Sequence, residues 1–98
     1  MNINADFFEN MYQKDPDPWR FASNTYELNR YQRICDVITP QKPRYVFEAG
    51  CSIGILTKQL ALLAEFVDAI DISPTAISIA KRQCDTLSNT QIHCHSIA

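Results

Sequence analysis

The stretch from Val46 to Thr57, Val-Phe-Glu-Ala-Gly-Cys-Ser-Ile-Gly-Ile-Leu-Thr, constrains this chain more than any other. A short apolar run reaches Glu48, turns at Gly50, passes Ser52 and enters a helical pattern at Gly54. A strand that ends in a tight glycine-bearing turn and feeds a helix N-terminus is a cradle for a nucleotide-like cofactor. Backbone N–H groups at the helix start are expected to point into the crevice at the strand's C-terminal edge. Glycine is needed where φ and ψ are unusual or where a Cβ would meet the ligand. The chain has 2 glycines, and both lie here.

A dinucleotide fingerprint needs G-x-G-x-x-G, and Gly-Cys-Ser-Ile-Gly does not supply that spacing. What remains is an acid two residues before a glycine, with a second glycine four further on. Glu48, Gly50, Ser52 and Gly54 in this order resemble motif I of the class I S-adenosylmethionine-dependent methyltransferases, with serine replacing the middle glycine. Residues 66–73, Phe-Val-Asp-Ala-Ile-Asp-Ile-Ser, read as a second strand ending in an acid. Asp71 lies 17 residues after Gly54, near the spacing of ~20 at which a carboxylate meets ribose hydroxyls. Ser73 and Pro74 then read as N-cap and first residue of a helix. Each residue also has a plainer use: the glycines in a βα turn, Glu48 as a capping carboxylate, Asp71 as a turn acid. Their joint order favours the cofactor.

Apolar residues form 46% of the chain and charged residues 20%, an ordinary globular balance for one small domain. A net charge of −2 gives no attraction for nucleic acid. The opening Met-Asn-Ile-Asn-Ala-Asp lacks the basic and apolar regions of a signal peptide, and no apolar run reaches the ~20 residues of a membrane span. Cys35, Cys51, Cys84 and Cys94 show no C-x-x-C spacing. Reduced thiols and a cytoplasmic location are expected.

The chain divides near residue 43. Residues 5–13 form an amphipathic helix with Phe7, Phe8, Met11 and Tyr12 on one side. The loop from Lys14 to Phe21 carries Pro16 and Pro18 and cannot be helical. Asn24 and Glu27 read as a capping box, followed by a helix with Leu28, Tyr31, Cys35 and Ile38 on one face. Pro40 and Pro43 make the linker. Then come strand 45–49, helix 54–64, strand 66–71, helix 74–86 and strand 91–95, with Ile77, Ala80, Cys84 and Leu87 as a buried stripe. The expected fold class is α/β: a Rossmann-like β-α-β-α-β half sheet (44–98) behind a helical cap (1–43), with right-handed crossovers.

The run Phe7-Phe8-Glu9, then Asp15-Pro16-Asp17-Pro18-Trp19-Arg20-Phe21, Tyr26-Glu27 and Tyr31, resembles nodulation protein S and its bacterial relatives. The resemblance extends from about Phe7 onward, and it implies an S-adenosylmethionine-dependent methyltransferase. The named members methylate an amino group on a chitooligosaccharide, so a small-molecule acceptor such as a sugar amine is implied. It also implies that Glu48, Gly50, Ser52 and Gly54 surround the methionine end of S-adenosylmethionine and Asp71 its ribose, with Cys51 and Ile72 also among the cofactor-binding residues. Trp19 and Arg20 would close over the cofactor, Arg20 pairing with its carboxylate, and Thr57 would add a hydroxyl. Ser96 stands where the family often carries an acid near the adenine.

The superfamily sheet has more strands than the three patterned here, so the chain reads as an N-terminal portion, inactive alone. Catalytic residues that hold the acceptor would lie beyond the third strand. An uncovered first strand is expected to recruit another chain. His93 and His95 share a strand face but offer too few ligands for zinc, and Cys51 reads as packing rather than as a nucleophile. A non-catalytic binding module and a nicotinamide oxidoreductase remain the competing classes.

Overall fold

The computed structural model describes residues 3–20 and 23–96. Phe21 of the proline-rich loop lies outside them. Helix α1 (Ile3–Lys14) and helix α2 (Thr25–Ile38), followed by a short 3-10 turn (Thr39–Gln41), precede the alternating part. That part runs β1 (Tyr45–Ala49), α3 (Ile55–Ala61), β2 (Phe66–Asp71), α4 (Pro74–Gln83) and β3 (Thr90–Cys94). The sheet is parallel in the order β1-β2-β3, with Glu48 opposite Ala69 and Asp71 opposite Cys94.

Local chemistry fixes the helix starts. Asn24 Oδ1 accepts from the Glu27 N–H at 3.2 Å, but the return half of the expected box is missing. Glu27 turns instead to Arg30 at 2.8 Å, and the Asn24 N–H goes to the Arg20 carbonyl. Ser73 caps α4 by accepting from the Ala76 N–H, with Pro74 at the first helical position. The helix ends depart from expectation. α3 starts at Ile55 because Gly54 is left-handed, and it stops at Ala61 as the Leu62 and Leu63 N–H groups tighten onto Gln59 and Leu60 carbonyls. α4 stops at Gln83, where Cys84 leaves helical geometry and its carbonyl accepts from Leu87. β3 begins and ends one residue earlier than expected, although the His95 N–H still continues the ladder to the Asp71 carbonyl.

Strands repeatedly stepping one way through right-handed crossovers put every connecting helix on the same face. Val67, Ala69 and Ile92 therefore point into a core built with Ile77, Ala80 and Cys84 of the α4 segment and with Leu60 and Ala61 of α3. Ile34 and Ile38 of α2 join that core. The opposite face is open. Tyr45 and Phe47 on it are 55% and 52% exposed, and Tyr45 stacks on Phe66 while donating to Asp68. α1 crosses the other end, where Tyr12 packs with Ile53 and Ala76. Phe7, expected on the apolar side of α1, is instead exposed and meets the edge of Phe8.

Candidate functional site

The βα turn after β1 is held by its own backbone. Gly50 and Cys51 N–H groups both donate to the Ile70 carbonyl at 2.9 Å, and the Gly54 N–H donates to the Cys51 carbonyl. The Ser52 N–H donates to Asp71 Oδ2 at 2.8 Å. These donors are thus engaged within the protein rather than aimed into the crevice as the sequence suggested. What the turn offers a ligand is shape and acid. Gly50 has φ +77°, and a Cβ there would project into open space. Ser52 also takes a left-handed φ, 53°, unusual for a residue with a Cβ.

Asp71 is buried at the end of β2, with Oδ2 on Ser52 and Oδ1 accepting from the Ser73 N–H at 3.1 Å. One carboxylate therefore ties the first βα turn to the second. Glu48 sits deeper. Burial pushes its carboxyl up, the Thr57 hydroxyl bond opposes that, and the charge of Asp71 adds to it. Thr57 is fully buried and donates to Glu48 Oε1, so its hydroxyl supports Glu48 and does not reach the crevice.

A cavity of about 260 Å³ lies at the C-terminal edge of the sheet. Gly50, Ser52, Asp71 and Ile72 form its floor, and Phe8, Tyr12 and Trp19 form its roof. Five of the expected residues therefore converge: Trp19, Gly50, Ser52, Asp71 and Ile72. Trp19 is 38% exposed and packs on both Phe8 and Tyr12. Cys51 and Gly54 are buried beneath the turn, and burial first, then Glu48 and Asp71, pushes the Cys51 thiol far up, away from thiolate chemistry. Arg20 does not line the cavity; it pairs with Asp15 at 3.1 Å and the Asp17 carbonyl at 3.1 Å from a left-handed backbone. On the open face His93 pairs with Asp68 at 3.0 Å.

The sequence reading missed the part played by α1. Tyr12 Oη and Ser52 Oγ are hydrogen-bonded at 2.5 Å, and burial foremost, with Asp71 nearby, raises the Tyr12 phenol to about 12 despite that bond. Glu9 accepts from Ser73 Oγ, Thr75 N–H and Thr75 Oγ1. Burial pushes the Glu9 carboxyl up, but these bonds and one from Gln13 outweigh it and hold the group at about 2. The available signal was the apolar side of α1. Nothing local announced partners 40 to 66 residues away.

The sequence profile of the nodulation protein S (NodS) family matches residues 4–98. Nodulation protein S of Sinorhizobium fredii (strain NBRC 101917 / NGR234) is 31% identical over 68 residues, which cover 68% of this chain and 32% of that protein. Nodulation protein S of Rhizobium tropici is 32% identical over 68 residues, covering 68% of this chain and 29% of that protein. The N-methyltransferase NodS from Bradyrhizobium japonicum WM9, crystallised with S-adenosyl-L-homocysteine, superposes with a TM-score of 0.85 at 25% identity. That match covers 98% of this chain and 49% of that one, so the chain spans half or less of these relatives' length. A DhpI–S-adenosylhomocysteine complex shares the fold, with a TM-score of 0.70 and 20% identity over 93% of this chain and 42% of that one.

Proposed function

The chain belongs to the nodulation protein S family, and from that premise we propose that the full-length protein is an S-adenosylmethionine-dependent methyltransferase acting on an amino group of a small molecule or sugar amine. Residues 1–43 serve as its helical cap and 44–98 as the N-terminal half of its cofactor domain. The observation that carries this reading is the cavity between the cap aromatics and the Gly50–Ser52 turn, with the Asp71 carboxylate in its wall. The residues fit the cofactor. Gly50 leaves space where a Cβ would intrude, and Asp71 has lone pairs left for vicinal hydroxyls. Ile72 and the ring of Phe8 supply apolar surface for a base.

The cofactor supplies an activated sulfonium methyl, so this chain's residues need only bind, orient and exclude water. Phe8, Tyr12 and Trp19 shield one side. Glu48 and Thr57 brace the turn from below. A nicotinamide oxidoreductase is less well supported: Ser52 fills the middle glycine position, and its hydroxyl is bonded to Tyr12 where a pyrophosphate would approach.

Arg20 exchanges Asp15 for the cofactor carboxylate in this reading. Arg20→Ala should then weaken S-adenosylhomocysteine about fivefold, as for a partly exposed ion pair, and leave adenosine unchanged. Calorimetry with both ligands checks this, and equal losses would assign Arg20 to loop folding. A cytoplasmic setting is supported by the free thiols of Cys35, Cys51, Cys84 and Cys94. No helix among the described residues is long and apolar enough to cross a membrane.

The 98-residue chain alone should show no methyl transfer and should self-associate through the β1 edge and the Tyr45–Phe47 face. Light scattering is the measurement; a stable monomer with methyltransferase activity would sink the expectation.

A further inference from the structure

α1 is tied to the α/β layer at two polar points. At one, Tyr12 meets Ser52. At the other, Glu9 Oε1 accepts from Ser73 Oγ at 2.6 Å and from the Thr75 N–H at 3.0 Å, while Oε2 accepts from Thr75 Oγ1 at 2.6 Å. Gln13, one turn further along α1, adds a bond to Oε2 at 2.8 Å. Four donors converging on one carboxylate make a built contact, and three of them come from the first turn of α4.

Glu9 does not line the cavity, but its neighbours do. Phe8 precedes it and Tyr12 follows at i+3, on the same side of the helix. Fixing Glu9 therefore fixes the direction in which both rings point. A helix of 12 residues is marginal without tertiary support, so the roof of the cavity needs an anchor. α4 does not need Glu9 to start, because Ser73 already caps it from within. The bonds to Glu9 are better accounted for by what they do to α1.

We propose that Glu9 is a positioning residue of the cofactor pocket: gripping the first turn of α4, it sets Phe8 and Tyr12 as the pocket roof, so that affinity depends on a side chain that never touches the ligand. The assignment rests on the cofactor reading above and names the group that orients its roof. Tyr12 and Ser52 form the second fastening of the same device. Loosening either fastening should release the same wall.

The test uses the full-length protein with Glu9→Ala, Glu9→Gln, Tyr12→Phe, and Glu9→Gln combined with Tyr12→Phe. S-adenosylhomocysteine affinity is read by calorimetry, and hydrogen exchange is followed over α1 and over the strands. Glu9→Ala should lower affinity about tenfold and Glu9→Gln less, since Gln keeps one acceptor oxygen. Protection should fall over α1 and persist over β1 to β3. The double variant should lose less than the sum of its parts, because both changes free one wall. Added acetate should not restore Glu9→Ala, since it can occupy the place at α4 without holding α1.

Unchanged affinity in both Glu9 variants would overturn the assignment. So would strictly additive losses, recovery with acetate, or loss of protection throughout the sheet. A full-length protein that binds no S-adenosylhomocysteine before any substitution would overturn the cofactor reading itself, and this assignment with it.

Discussion

Asp71→Ala is expected to weaken S-adenosylhomocysteine binding to the full-length protein by about 1.5–3 kcal/mol, the scale of a charged hydrogen-bonding group. The structure gives reason to expect the upper end. Alanine would remove the carboxylate offered to the ribose and also release the Ser52 and Ser73 N–H groups, which it holds at 2.8 and 3.1 Å. Both floor segments of the cavity would loosen together. Asp71→Asn separates the two effects: the amide oxygen can keep one N–H while the charge is gone. Asn should therefore recover part of the stability lost in Ala but little of the affinity. Calorimetry paired with thermal melts reads both quantities. Affinity unaltered by Asp71→Ala would remove Asp71 from the ribose site.

Gly54→Ala should destabilise the protein by about 2–4 kcal/mol, combining a left-handed backbone with overpacking. Gly54 has φ +87°, and a Cβ there would stand 3.0 Å from both Cα and Cβ of Ala80. Those atoms belong to the backbone and shortest side chain of α4, so neither can rotate aside. The glycine is what lets α3 start directly against α4. Gly50→Ala is the matched control, with φ +77° but nothing within 4 Å of its Cβ. It should cost about 1 kcal/mol of stability, and its effect should appear mainly in ligand affinity. Urea denaturation of the two variants gives the comparison, and equal midpoints would mean that contact with Ala80 adds nothing.

Much of this arrangement was legible in the sequence because its determinants are short-range. Apolar runs bounded by turns located β1 and β2, and Asn24, Ser73 and Pro74 marked helix starts through capping chemistry that a few residues contain. The ends of α3 and α4 were not legible. No glycine or proline stops either helix: α3 ends in tightened bonds to the Gln59 and Leu60 carbonyls, and α4 ends where Cys84 leaves helical geometry. The cavity floor could be listed from motif spacing, since Gly50, Ser52, Asp71 and Ile72 lie on adjacent strand ends. Its roof could be read only in part. Trp19 was named only through the family resemblance of the loop from Asp15 to Phe21, whereas Tyr12 gains its meaning from Ser52, and Glu9 from Ser73 and Thr75. Thr57 was expected at the cofactor because the family resemblance implied a hydroxyl there. Glu48, on the neighbouring strand, takes that hydroxyl first.

The placement of both connecting helices, α3 and α4, on one side of the sheet also bears on how this chain responds to heat. Heat capacity rises on unfolding in proportion to the apolar surface newly wetted. In the monomeric folded chain Tyr45 and Phe47 are already half hydrated, so at dilutions that keep it monomeric their face adds little when order is lost. The heat-capacity increment should fall below the roughly 1.2–1.5 kcal/mol/K usual for a domain of about 100 residues. A smaller increment flattens the dependence of stability on temperature. Cold then weakens such a half-covered sheet less than it would a closed one, and a denaturant finds less new surface to solvate.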